Sequence, residues 1–155
     1  MAFQSMNDFA KQVGILLDNI LFDEVYEAVR DVQLEHIAED VMDVYRPAEY
    51  ERRDNGLENP GNIWASRSSQ NELVVENVTQ FNPDYGTENY GYGLVGLIEY
   101  GDGWNGLYYD YRPKKNARYL KPRPFIANTR ADLKTNKQHI QALKDGLKTR
   151  GIRFK

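Results

Sequence analysis

Leu94-Val95-Gly96-Leu97-Ile98-Glu99-Tyr100-Gly101 is the stretch on which the reading of this chain turns. The apolar run predicts a buried strand ending at Glu99-Tyr100, which Gly101-Asp102-Gly103 then breaks. A loop crowded with Trp104, Tyr108, Tyr109 and Tyr111 follows. Lys121-Pro122-Arg123-Pro124-Phe125 then leads into a last helix. Helical sequence stands on both sides, so the block reads as the centre of a sheet and its crossing into a helix.

Outward toward the N-terminus, Ile63 to Arg67 and Glu72 to Val78 flank Ser68-Ser69-Gln70-Asn71. This predicts a hairpin with a four-residue turn. Gly and Tyr interleave through Tyr85, Gly86, Tyr90, Gly91, Tyr92 and Gly93, giving a loop with aromatic contact surface or a glycine-rich turn folded on the sheet. Gly91-x-Gly93 lacks the third glycine and the lysine of a phosphate loop, and no helix is expected to start there. Before the hairpin, Ala48 to Asn62 is a polar loop with turns at Asn55-Gly56 and Asn59-Pro60-Gly61. Tyr50, Arg52 and Arg53 stand out there as residue types enriched at interface hot spots. Ion pairing with Glu49, Glu51 and Asp54 is the plainer alternative.

The first element is helical over 7–45. Ser5 or Asn7 can cap it, and Phe9, Val13, Leu16, Leu17 and Ile20 follow the helical period. The pattern is open to interruption at Leu21-Phe22-Asp23, with Asp23 able to cap a restart. Val25, Val29, Val32, Ile37 and Val41 continue it until Arg46-Pro47 ends it. Unbroken, this segment runs ~58 Å, longer than a chain of 155 residues covers by itself. It is therefore expected to kink, divide or project. The closing helix is placed at 129–150. Thr129-x-x-Asp132 has the spacing of a capping box, Leu133, Ile140, Leu143 and Leu147 form one apolar stripe, and Gly151 supplies the stop. One domain spanning 1–155 is expected, with loop and sheet over 46–125.

The net charge of −3 conceals a split. Residues 111–155 hold fourteen Lys or Arg against two acids, and the acids concentrate in the preceding 110 residues. Solvated helix faces account for this in the simplest case. Head-to-tail association of basic and acidic regions is a second account, and nucleic acid on the basic third is another. Cysteine is absent, which excludes disulfides and thiolate chemistry. No basic n-region or membrane-length apolar run is present, so a soluble protein made in a cytoplasm, with no membrane partner, is expected.

Little points to covalent chemistry. His36 and His139 have no second ligand at an established spacing, so no metal is expected. Glu35, Glu39, Asp40 and Asp43 can line one helical side, usually a solvated face. Ser66, Ser68 and Ser69 lack a nucleophile elbow. Glu99 and Asp102 are the one pair worth weighing as a two-carboxylate hydrolytic site in an aromatic cleft, although an acid before Gly-Asp-Gly is more often part of a turn. The protein is expected to be no enzyme and to need no cofactor.

The order of residues carries more than any single motif. Val44-Tyr45-Arg46-Pro47 ends an acidic helix. Tyr50-Glu51-Arg52-Arg53 with Gly56-Leu57 follows, then Leu73-Val74-Val75-Glu76-Asn77, Leu97-Ile98-Glu99-Tyr100-Gly101 and Pro122-Arg123-Pro124-Phe125 before a closing amphipathic helix. In this order the chain resembles the small neck and tail-completion proteins of long-tailed bacteriophages. The resemblance implies an α+β fold, a small antiparallel sheet packed by a long N-terminal helix or kinked helix pair and a C-terminal amphipathic helix. It implies a non-enzymatic virion or assembly protein, made in the host bacterial cytoplasm and placed at the head-tail junction. The working form it implies is a homo-oligomeric ring, a hexamer or dodecamer, around passing DNA that is not read for sequence. Its implied neighbours are head-completion or connector proteins and tail-terminator or tail-tube proteins. Tyr50, Arg52, Arg53, Glu99, Tyr100, Trp104, Tyr108, Tyr109, Arg123 and Phe125 are the expected contact residues. Glu99-Tyr100-Gly101 is expected close to Pro122-Arg123-Pro124-Phe125, with Phe125 as an anchor and Arg123 directed at a partner or at Glu99. A nucleic-acid-binding module using the basic third, and a carbohydrate-binding or hydrolytic protein using the aromatic loop, are the competing classes.

Overall fold

Ser5 starts the longest element of the structure, a computed structural model that describes residues 5–44, 56–69, 71–79, 93–101 and 121–152. The Ser5 hydroxyl accepts the Asp8 backbone N–H at 3.1 Å and donates to the Asp8 carboxylate at 2.9 Å, a reciprocal N-cap. Helix α1 (Met6–Ile20) passes into a π-helical segment (Leu21–Val25), helix α2 (Tyr26–His36) and a second π-helical segment (Ile37–Met42). The run from Met6 to Met42 is therefore helical throughout, about 55 Å at 1.5 Å per residue.

The expected interruption at Leu21-Phe22-Asp23 takes the form of a wide turn, and Asp23 caps nothing. The sequence supplies the reason. Leu21, Val25, Val29, Gln33, Ile37 and Val41 recur every four residues, and all are buried or half-buried. In a regular α-helix, positions four apart drift by about 40° per step, which would carry such a row off the core. The π-helical segments, with their i→i+5 turns, take up that drift and keep the row facing inward. A second row, offset by two, holds Asp23, Glu27, Asp31, Glu35, Glu39 and Asp43, and every one is exposed. One period thus sorts the helix into an apolar and an acidic face.

The hairpin stands where expected, but its pairing ends at Ser66 and Val74, so the connection is longer than the four-residue turn expected. Strands β1 (Ile63–Ser66) and β2 (Val74–Asn77) pair antiparallel with Ile63 opposite Asn77 and Ser66 opposite Val74. Asn71 in the turn has φ 58°, a left-handed conformation that Asn tolerates better than most residues. Asp18 on α1 ties the turn down, accepting the Asn71 N–H at 3.2 Å and pairing with Arg67 at 3.1 Å. Tyr26 donates its hydroxyl to the Ile63 carbonyl at 2.5 Å, fixing β1 to α2.

The segment expected to be the central strand is a helix, α3 (Gly93–Tyr100). A short apolar run does not distinguish strand from buried helix by itself, and the tertiary contacts decide it. Val95, Ile98 and Glu99 lie at helical spacing, and these three face the interior. A strand would have put Ile98 and Glu99 on opposite faces. Gly101, at φ 66°, follows the helix as its left-handed stop. The described sheet is accordingly the two-stranded hairpin.

The expected final helix over 129–150 is two helices, α4 (Phe125–Asn136) and α5 (Gln138–Thr149), with Lys137 between them at φ 57°. Thr129 lies inside α4, 4% exposed, with its hydroxyl on the Phe125 carbonyl at 2.7 Å, so it caps no helix start. At the far end Gly151 has φ 85°, its N–H meets Lys148 O, and Ile152 N–H meets Leu147 O. These two bonds make a Schellman stop.

Two core clusters lie along the long helix. One gathers Ile37, Val41, Leu57, Ile63 and Phe125, joined by Val75, Val95 and Ile98. The other gathers Ile20, Val25 and Leu147, joined by Leu16, Leu17, Leu143 and Ile152. The architecture is α+β, with the C-terminal helices packed against the N-terminal helix.

Candidate interaction surfaces

Glu99 has a structural task. Its carboxylate is buried, 4% exposed, and accepts the Ile126 N–H at 2.8 Å and the Ala127 N–H at 3.0 Å. These are N–H groups of the first turn of α4, which no intrahelical carbonyl can satisfy. A carboxylate there also meets the positive end of the helix dipole. In return, Arg123 N–H donates to the Ile98 carbonyl of α3 at 2.8 Å. The proximity expected of Glu99 and the segment around Arg123 is found, and these bonds create it. Pro124, at φ −80° and ψ 57°, sits at the centre of an inverse γ-turn closed by Phe125 N–H on Arg123 O at 2.8 Å. The path into α4 therefore bends at Pro124. Phe125 is fully buried, as an anchor should be, and Tyr100 is 57% exposed. Both carboxylate oxygens of Glu99 are thus engaged by the start of α4. Asp102, Tyr50, Arg52, Arg53, Trp104, Tyr108 and Tyr109 lie outside the described residues.

A polar seam joins α2 to α4. The Asp40 carboxylate receives Asn128 Nδ2 at 2.9 Å and stands 3.0 Å from His36 Nδ1, while His36 Nε2 lies 3.9 Å from Asp132. His36 and Asp40 thus fix the pairing of the two helices. No group of three or more His, Cys, Asp or Glu among the described residues is arranged to hold a metal ion.

Two charged surfaces stand out among the described residues. The first is the acidic ridge from Asp23 to Asp43. Like charges four apart on a helix destabilise it by roughly 0.2–0.5 kcal/mol per pair, and the ridge stacks them consecutively. Asp23 is relieved by Arg150 at 3.3 Å and Asp31 by Arg30 at 2.9 Å. Glu35 and Glu39 have no ion pair among the described residues. The acids at the end of the run also oppose the negative end of the helix dipole.

The second is an open groove of about 380 Å³ at the corner of α4 and α5. Val29, Leu133 and Ile140 give it an apolar floor, and Arg130, Lys134 and Lys137 a cationic rim. The three rim residues are exposed, and none has an ion pair among the described residues. The apolar stripe expected on one C-terminal helix is here divided between two uses. Leu143 and Leu147 enter the core, while Leu133 and Ile140 line the groove, because the left-handed Lys137 turns α5 away from the line of α4. His139 also lines the groove, partly buried. Of the four acids expected along one helical side, Glu35, Glu39 and Asp43 share the ridge while Asp40 turns into the α2–α4 seam, and the groove had no signal in the sequence.

A family model described as YomN matches residues 5–149. The chain belongs to the YomN family. The match runs from the N-cap serine to the last residue of α5. No curated protein and no solved structure matches the chain at a significant level. No helix among the described residues is long and apolar enough to cross a membrane.

Proposed function

We propose that this protein is a non-enzymatic structural or assembly component of a tailed phage, acting at the head-tail junction as a homo-oligomeric ring through which DNA passes. The observation that carries the assembly part is the pairing, on one chain, of an acidic ridge with a cationic groove that do not neutralise each other. Surfaces of this kind carry an electrostatic cost in the isolated molecule and complement one another between molecules. The period-four helix supports the same reading, because it keeps the acids of that ridge on one exposed face. Placement in a virion rests on the resemblance of residue order to phage neck and tail-completion proteins. Electron microscopy of phage particles carrying a labelled copy tests it. Label at the junction of head and tail is the expected result, and particles without label would refute a virion role.

A second reading, a nucleic-acid-binding module, is favoured by Arg130, Lys134 and Lys137 standing exposed and without ion pairs on one rim. Three phosphate contacts would make log K fall with log salt at a slope of about −2.7 on duplex DNA. A titration of the purified protein with duplex DNA across salt concentrations separates the readings, since the assembly reading requires no such affinity.

A further inference from the structure

We infer that the groove at the α4–α5 corner receives the C-terminal end of the acidic ridge of a second copy of this chain. This head-to-tail contact rests on the reading that the protein works as a homo-oligomer. Both halves of the contact are present on each molecule. The donor half is Glu35 and Glu39, one turn apart on the exposed face of the helix, with Val44 further along at 69% exposure. The acceptor half is the rim of Arg130, Lys134 and Lys137 over the floor of Val29, Leu133 and Ile140.

The two rows match in length as well as in charge. Glu35 to Glu39 and Arg130 to Lys134 each span about 6 Å at the helical rise, so two acids can lie along two bases, with Lys137 beyond them. Val44 supplies an apolar side chain at the end of the ridge for the apolar floor. The negative end of the helix dipole, which the acids oppose in the isolated chain, faces the cationic rim in the contact. Lys137 is held in the left-handed region, which is uncommon for a residue other than glycine. Such outliers cluster at binding sites, and this one both turns α5 and places a cation on the rim.

Geometry also sets the symmetry. Val29 belongs to the inward row of α2, and Glu27 and Asp31 stand two positions away on the outward row, about 200° around an α-helix. Ridge and groove therefore look out from different faces of the molecule. Joining one to the other uses unlike surfaces on the two copies, a heterologous contact that closes into a ring or continues as a filament.

The experiment is sedimentation velocity of the full chain over a concentration series, at low and high salt. Lys134→Glu and Glu39→Lys are each expected to weaken self-association tenfold or more, with thermal midpoints near that of the wild type. Lys134→Gln and Glu39→Gln should shift association in the same direction by less, and they keep the test valid if a reversal disturbs folding. An equimolar mixture of the Lys134→Glu and Glu39→Lys proteins should recover association, since each supplies the surface that complements the other. Wild-type association that neither reversal weakens, or a mixture no better than its components, overturns the assignment of these surfaces and leaves the oligomer standing. A wild type that stays monomeric at its highest soluble concentration overturns both, and salt-dependent DNA binding by that monomer, lost in Lys134→Glu, would assign the groove to nucleic acid instead.

Discussion

Replacing Glu99 by alanine removes the only described acceptors of the Ile126 and Ala127 N–H groups, at 2.8 and 3.0 Å, from a site where the side chain is 4% exposed. A buried donor left without a partner costs about 1–3 kcal/mol, and loss of a helix cap about 0.5–2 kcal/mol. These overlap, because the capping loss is the loss of the same bonds, and relief of a buried charge offsets part of it. The net expectation is about 2–4 kcal/mol of destabilisation. At about 2–4 °C per kcal/mol for a chain of this size, the midpoint should fall by roughly 5–15 °C. Glu99→Gln keeps one acceptor oxygen and should cost about half as much. Urea unfolding followed by far-ultraviolet circular dichroism measures both, and amide exchange at Ile126 and Ala127 should accelerate in the alanine variant before global unfolding. A Glu99→Ala protein within 0.5 kcal/mol of wild type, with those amides still protected, would refute the view that this carboxylate holds the start of α4.

Gly146 and Gly151 separate two reasons for glycine. A Cβ at Gly146 would meet Ile20 Cγ2 at 2.7 Å and Glu24 Cδ at 3.3 Å, and Ile20 is fully buried. Gly146→Ala should therefore destabilise by about 1–2 kcal/mol, as overpacking outweighs the better helix propensity of alanine. Gly151 has open space around it but φ 85°, so Gly151→Ala should cost about 1 kcal/mol by backbone strain alone; chemical denaturation reads both. Lys137→Gly should stabilise the protein slightly, by about 0.5 kcal/mol, since relief of the left-handed strain exceeds the added freedom of the unfolded chain. The same variant should weaken self-association, and a joint loss of stability would contradict the proposed strain. The hydrogen bond from Arg150 holds the Glu24 carboxyl below its ordinary value of 4.5. Its contribution to stability is thus complete above that pH and is lost as the pH falls through the depressed value. Melting curves from pH 6 down to pH 2 should show a shallower acid loss in Glu24→Gln than in wild type.

Local chemistry was legible in the sequence wherever a few neighbouring residues settle the conformation. Ser5 capping α1, the hairpin from Ile63 to Asn77, and Gly151 ending α5 all follow from short-range rules. The rows recurring every four residues from Leu21 to Asp43 already encode both the wide turns and the acidic ridge, because the covalent spacing alone decides which side chains share a face. What the tertiary structure decided is the state of segments whose local preference is ambiguous. Leu94 to Ile98 suits a strand and a helix almost equally, and it is helical because Val95, Ile98 and Glu99 reach the core and the start of α4 together only at helical spacing. The joint at Lys137 carries no glycine or proline to announce it. It exists because turning α5 there brings Leu143 and Leu147 onto Ile20 and Val25, and burying that apolar surface outweighs one strained residue. The groove follows from the same turn, so its partnership of Val29 with Arg130, Lys134 and Lys137 is a product of packing between residues about a hundred positions apart.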